Sequence, residues 1–324
     1  MAEKIYNEKI CAAELAVIDH SYDQAGTLYE EAFKLNPKPL VNDLYNALMV
    51  AIAQQNAKEA FAYASNLASL GVGASFFERK AAFFWLKKMS AWPKLVKQAK
   101  AGKKYVNLQS ELNALAQEHQ RIIDKSYQNV SSDTLNVLST KKKEIEQKLQ
   151  VLFDKNGGYL SEYEIGVNIK DDTVIVPPIF TDILKMRYVD LSSHQVYYMS
   201  QDSIAQMLMQ AEREGKVSFE FMAGNLTNAS IDSAAVKSVL LSGCNFYLCL
   251  LPGQTESAIN DRRKALGLCS VGEYLKKIHF NVSNPHSPFK IGPDLASYFS
   301  SDYQDVNSQL VRNCIFIEKR PDCK

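Results

Sequence analysis

A chain of 324 residues has room for about two domains of 100–200 residues each. Its hydrophobic share of 46% and charged share of 23% exclude wholesale disorder. Lys+Arg total 37 against 36 Asp+Glu, so no global field supports a nucleic-acid or membrane-surface role.

The first nine residues carry charges of both signs and lead into no apolar run of signal-peptide type. The longest uncharged apolar stretches, such as residues 81–86 and 246–251, fall far short of the ~20 residues a membrane span needs. The expectation is a soluble chain with no membrane partner.

Residues 5–35 read as two amphipathic helices joined by a short turn. Ile10, Ala13, Ala16 and Val17 recur at helical spacing, and His20-Ser21 breaks the pattern. Tyr22, Ala25, Tyr29, Ala32 and Phe33 form the next stripe. Asn36-Pro37 ends it, because a residue before proline avoids the helical region. A second copy follows 35 residues later, with Ala16 matched by Ala51, Ala25 by Ala60 and Tyr29 by Ala64. That copy lacks the closing proline and ends at Gly71 and Gly73. The order of Ala13, Ala16, Tyr22, Ala25, Tyr29, Ala32 and Pro37 resembles the tetratricopeptide repeat, a helix hairpin of about 34 residues.

That resemblance implies an α–α superhelix over residues 1–102 whose inner helices line a concave groove. It places Asn7, Ile10, Glu14 and Val17 in the groove from the first unit, and Asn42, Tyr45, Asn46 and Met49 from the second. A clamp for an acidic carboxyl-terminal tail needs lysines or arginines at these places, and there are none. Two readings stand: a neutral lining that binds a peptide or helix, or a groove covered by the chain's own later helices. Residues 103–155 are the expected cover.

Further helices are expected at residues 76–89 and 92–101. A long antiparallel hairpin is expected over residues 103–127 and 133–155, apolar at Leu108, Leu112, Leu115 and Ile122 and at Leu138, Ile145, Leu149 and Leu152. Residues 79–104 hold nine basic side chains and no acidic one, with Phe83, Phe84, Trp85 and Trp92 interleaved. Single-stranded nucleic-acid surfaces use this combination. The aromatics stand at core-like spacing, however, and residues 1–150 carry only 20 basic against 16 acidic side chains. Nucleic acid is therefore not the expected partner.

After Lys155 glycine, asparagine and serine become common. Residues 173–178 read as an extended piece stopped by two prolines, residues 203–214 and 234–241 as helices, and residues 244–251 and 314–318 as strands. Residues 103–324 are thus expected to form a helix-rich domain with a few short strands. The whole chain is expected to be mainly α.

Residues 259–277 read Ile-Asn-Asp-Arg-Arg-Lys-Ala-Leu-Gly-Leu-Cys-Ser-Val-Gly-Glu-Tyr-Leu-Lys-Lys. This segment resembles the close of an uncharacterised bacterial domain family, which would extend over about residues 105–280 and include His194 and the Ala-Glu-Arg-Glu-Gly helix end at residues 211–215. Such domains carry an early histidine, then an Asp-Arg pair and a Tyr-Gly-Thr-Gln segment. Here Thr227-Asn228 stands near the place of the Asp-Arg pair, and no Tyr-Gly-Thr-Gln occurs. The resemblance supplies no reaction. Read by itself, Asp261 before Arg262 and Arg263 fits a helix amino-terminal arrangement, with Gly267 making the turn.

The five histidines, His20, His119, His194, His279 and His286, make no metal-ligand spacing. Asp190 and His194 form the weak catalytic pair: a carboxylate that could orient an imidazole as general base, with no nucleophile in a recognisable turn. No phosphate loop, dinucleotide fingerprint or nucleophile elbow is present, so no cofactor is expected. The six cysteines show no framework spacing and read as buried free thiols of a reducing cytosol, which makes the expected location cytoplasmic. Taken together, the expectation is a protein–protein interaction module. The alternative is a hydrolase-like carboxyl-terminal domain that uses His194.

Overall fold

The computed structural model describes residues 2–100, 105–128, 130–170, 173–175, 183–184, 191, 203–219, 221–222, 238–242, 245–249, 255–292, 298–300 and 314–319. The fold is mainly α, as composition and periodicity led us to expect. Its contacts divide it into two compact units, residues 1–63 with 229–324, and residues 64–228. The boundary expected near residue 102 falls inside the second unit. The first unit instead draws the early hairpins together with residues 256–292, which are bonded to them covalently and by hydrogen bonds described below.

The first unit begins with α1 (Ala2–Ile18) and α2 (Tyr22–Leu35), followed by α3 (Val41–Ala53) and α4 (Ala57–Ser69), which runs on into the second unit. Ala13, Ala16, Ala25 and Ala32 are buried between α1 and α2, where only a small side chain permits close helix approach. The turn after α1 places His20 at φ 56°, with Ser21 N–H donating to the Ala16 carbonyl and His20 N–H to that of Val17. The turn after α3 repeats this motif. Gln55 lies at φ 56°, Asn56 N–H donates to Ala51 and Gln55 N–H to Ile52. Both are left-handed helix closures that satisfy orphan carbonyls, and they stand at the same 35-residue spacing as the paired alanines.

Among the described residues, the other helices of this unit are Glu256–Ala265 and Val271–Ser283, labelled α11 and α12. Ser270 caps α12 through a full capping box with Glu273. Arg262 and Arg263 stand in the last turn of α11 rather than at a helix amino terminus, which corrects the sequence reading. Arg263 is 1% exposed and donates from Nε to the Cys269 carbonyl at 2.5 Å, tying the turn between the two helices. Four strands form one sheet in the order β5-β3-β4-β6. They are β3 (Ser238–Ser242), β4 (Asn245–Cys249), β5 (Tyr298–Ser300) and β6 (Cys314–Lys319). β3 lies antiparallel to β4 and parallel to β5, and β6 lies antiparallel to β4. The helix expected at residues 234–241 is corrected where it is described. Its apolar run Val239-Leu240-Leu241 pairs across to Leu248, Tyr247 and Phe246 as a strand.

In the second unit the expected helix over residues 76–89 is broken. It appears as α5 (Ala74–Arg79) and two short three-ten turns, Ala81–Phe83 and Leu86–Lys88. An unbroken helix would separate Phe76 and Phe83 by about 10 Å along its axis. The extended Lys80 brings Phe83 back onto Phe76 and Phe77, with ring centroids 5.6 Å apart in each case. α6 (Trp92–Lys100) follows, and the expected helical hairpin is present as α7 (Val106–Ser126) and α8 (Ser132–Lys155). Next come α9 (Glu162–Ile165), the two-stranded sheet of β1 (Asn168–Lys170) and β2 (Thr173–Ile175), and α10 (Ser203–Arg213). Gly166, at φ 71°, lets Val167 N–H reach the Leu70 carbonyl at 2.8 Å. A β-carbon there would stand 2.6 Å from the Tyr105 ring. No described helix is long and apolar enough to cross a membrane.

Candidate functional site

Of the residues projected to line a groove, Glu14, Asn42 and Asn46 meet the main chain of residues 290–292 in the first unit. α3 is buried on nearly every side, Tyr45 and Asn46 completely. Asn42 and Asn46, one helical turn apart on one face, both donate from Nδ2 to the Lys290 carbonyl, at 2.9 and 2.7 Å. Asn46 Oδ1 also accepts from Lys290 N–H at 2.8 Å. One carboxamide therefore engages both main-chain groups of one residue, as a neighbouring strand would.

Residues 289–292 lie along this lining with alternating exposure. Phe289 and Ile291 are buried, Lys290 and Gly292 half-buried. Asn281 on α12 donates to the Ile291 carbonyl, and Gly292 N–H donates to Glu14 Oε1 at 3.1 Å. Four main-chain polar groups of this short segment are thus satisfied by side chains, which is what burial of an extended peptide requires. The Phe289 ring stacks on Tyr22 with centroids 5.8 Å apart and planes at 20°. Gly292, at φ 72°, would place a β-carbon 2.9 Å from Cβ of Lys277, so the position requires glycine.

Glu14 joins both layers. Its Oε2 accepts from Lys277 Nζ at 2.5 Å, with both side chains 6% exposed. Nearby, Tyr6 donates to Asp43 Oδ2 at 2.5 Å. Burial, reinforced by the charges of Glu14 and Asp43, pushes the Tyr29 phenol well above its usual range, and burial raises that of Tyr45. Both phenols therefore stay neutral. Asn7 lies at the edge, its Nδ2 3.4 Å from the Leu266 carbonyl, and Met49 is buried with the rest of the α3 lining.

The segment bonded to this lining comes from residues 256–292 of the same unit. A covalent bond fixes it: Cys11 on α1 is joined to Cys269, in the turn between α11 and α12, across 258 residues of sequence. This corrects the reading of these two cysteines as free thiols and removes the ground on which a cytoplasmic location was expected. Sequence reasoning missed both partners of the groove. The only local signal for the occupant was the alternation of Phe289 and Ile291 after Pro288.

Two clefts flank the site. One, of about 480 Å³, opens where the segment reaches α1 and α2 and is lined in part by His20, Tyr22, Asn284, His286 and Phe289. The other, of about 350 Å³, is lined by Glu8, Asn260, Asp261, Lys264, Leu268 and Ser270 among others. Asp190 and His194 lie outside the described residues, as does Thr227-Asn228, so the catalytic alternative has no geometry here. No group of three metal-ligating side chains occurs among the described residues. In the second unit, Phe84 is 49% exposed with Lys87 Nζ 4.0 Å above its ring, and Lys88, Lys94 and Lys97 face solvent. Comparison with known proteins adds no relative to this picture: no family model, no curated protein and no solved structure matches the chain.

Proposed function

We propose that the protein is a protein–protein interaction module whose tetratricopeptide-like hairpins bind an extended peptide segment, captured here in its self-bound form. The observation that carries this reading is the double carboxamide contact of Asn42 and Asn46 with the main chain of Lys290. Recognition through main-chain groups is tolerant of sequence. Selectivity then comes from the buried anchors, an aromatic at the place of Phe289, a β-branched residue at that of Ile291 and the obligatory Gly292. A partner would offer the same pattern and compete with the chain's own segment.

Weakening the resident segment should open the groove to a competitor. A fluorescent peptide copying residues 284–292 is expected to bind a Phe289→Ala/Ile291→Ala variant and to ignore the wild type, as read by fluorescence anisotropy. A variant that keeps its helical circular dichroism yet binds no peptide would show that the segment is permanent core and end the proposal.

A further inference from the structure

We infer that the Cys11–Cys269 disulfide is a redox latch on this groove: reduction by a dithiol releases α11, α12 and residues 289–292 from α1 and α3. The inference concerns the regulation of the groove and rests on the peptide-binding reading just given.

Every other link between the two layers is non-covalent. Lys277 pairs with Glu14, Gly292 bonds the same carboxylate, and Asn42 and Asn46 hold Lys290. Each of these bonds is also one that a competing peptide or water can replace. The disulfide alone prevents the layer from leaving, because it fixes the α11–α12 turn to the middle of α1. The bond also lies beside an opening. Leu268 and Ser270, which flank Cys269, line the 350 Å³ cleft together with Glu8, one turn before Cys11 on α1. Cys11 and Cys269 are themselves buried, 8% and 7% exposed, so a reductant reaches the bond as the turn at this cleft opens. In a reducing compartment such bonds are transient and serve redox sensing more often than permanent bracing.

A dithiol supplies the two electrons that reduction of this bond needs. One of its thiolates attacks a sulfur of the Cys11–Cys269 pair, the S–S bond breaks, and the other cysteine leaves as thiolate. The second thiol of the reductant then displaces the mixed disulfide. Two electrons and two protons pass from the dithiol to the protein, giving two cysteine thiols and one oxidised reductant.

Hydrogen exchange read by mass spectrometry tests the latch on the full chain, oxidised and after dithiothreitol, with alkylation confirming two new thiols. A Cys11→Ser/Cys269→Ser variant serves as the second arm. Amides of residues 42–49 and 271–292 are expected to exchange roughly tenfold faster or more on reduction, while α7 and α8 keep their protection. Unchanged protection in the reduced chain would overturn the latch, and so would loss of protection throughout both units, since either makes the bond a structural brace. Titrating the reduced chain with the peptide copying residues 284–292 separates the two readings. Faster exchange with binding supports both, whereas faster exchange without binding retains the latch and ends the peptide-binding proposal.

Discussion

Lys277→Met is expected to lower stability of the first unit by about 3–5 kcal/mol, the usual cost of removing one partner from a buried ion pair. The pair lies at 2.5 Å with both side chains almost wholly screened from water, so salt will offset little of the loss. The size of the effect comes from Glu14, which would be left charged and buried with only Gly292 N–H for a partner. A Glu14→Met/Lys277→Met double variant should be less damaged than Lys277→Met alone. What remains is then chiefly the orphaned Gly292 N–H, at about 1–3 kcal/mol. Urea unfolding of the three chains gives the comparison directly. A single variant within about 1 kcal/mol of wild type would mean that the pair is hydrated in solution and that the layer is not closed.

Gly267→Ala should be comparably harmful, for steric reasons. Gly267 stands at φ 75°, and a β-carbon there would lie 2.1 Å from the Lys4 carbonyl oxygen on α1. The left-handed conformation costs a non-glycine residue about 1–2 kcal/mol, and overpacking against backbone that cannot rotate away adds about 1–3 kcal/mol. Gly157 is the matching control. It has φ 77° with nothing within 4 Å of the position a β-carbon would take, so Gly157→Ala carries only the first cost. Thermal melts in which Gly267→Ala falls no further than Gly157→Ala would show that α1 and the α11–α12 turn are not in contact.

Much of this was legible in the sequence, and the reason differs from element to element. Ala13, Ala16, Ala25, Ala32 and their 35-residue echo specify close-packed hairpins because side-chain size acts locally. The projection of Asn7, Glu14, Asn42, Tyr45, Asn46 and Met49 onto one lining came instead from the resemblance to the tetratricopeptide repeat. What fills that lining depends on a contact between residues 244 and 278 positions apart, and no periodicity encodes such a pairing. Cys11 and Cys269 are equally silent, since a spacing of 258 residues says nothing of distance in the fold. The helix expected at residues 76–89 failed because three phenylalanines that gain most by clustering override helical propensity. Likewise Val239-Leu240-Leu241 suits helix or strand by apolarity alone, and the pairing with β4 decides it.

The central point is that residues 289–292 pack against α1 and α3 through Glu14, Asn42 and Asn46, and nuclear Overhauser spectroscopy of the isotopically labelled, oxidised protein reads this most directly. This packing requires cross-peaks from the Asn46 carboxamide protons to the amide and α protons of Lys290, together with slowed exchange of the Lys290 and Gly292 amides. An Asn46 side chain that shows only intrahelical cross-peaks, with both amides exchanging at the rate of a free peptide, would contradict it.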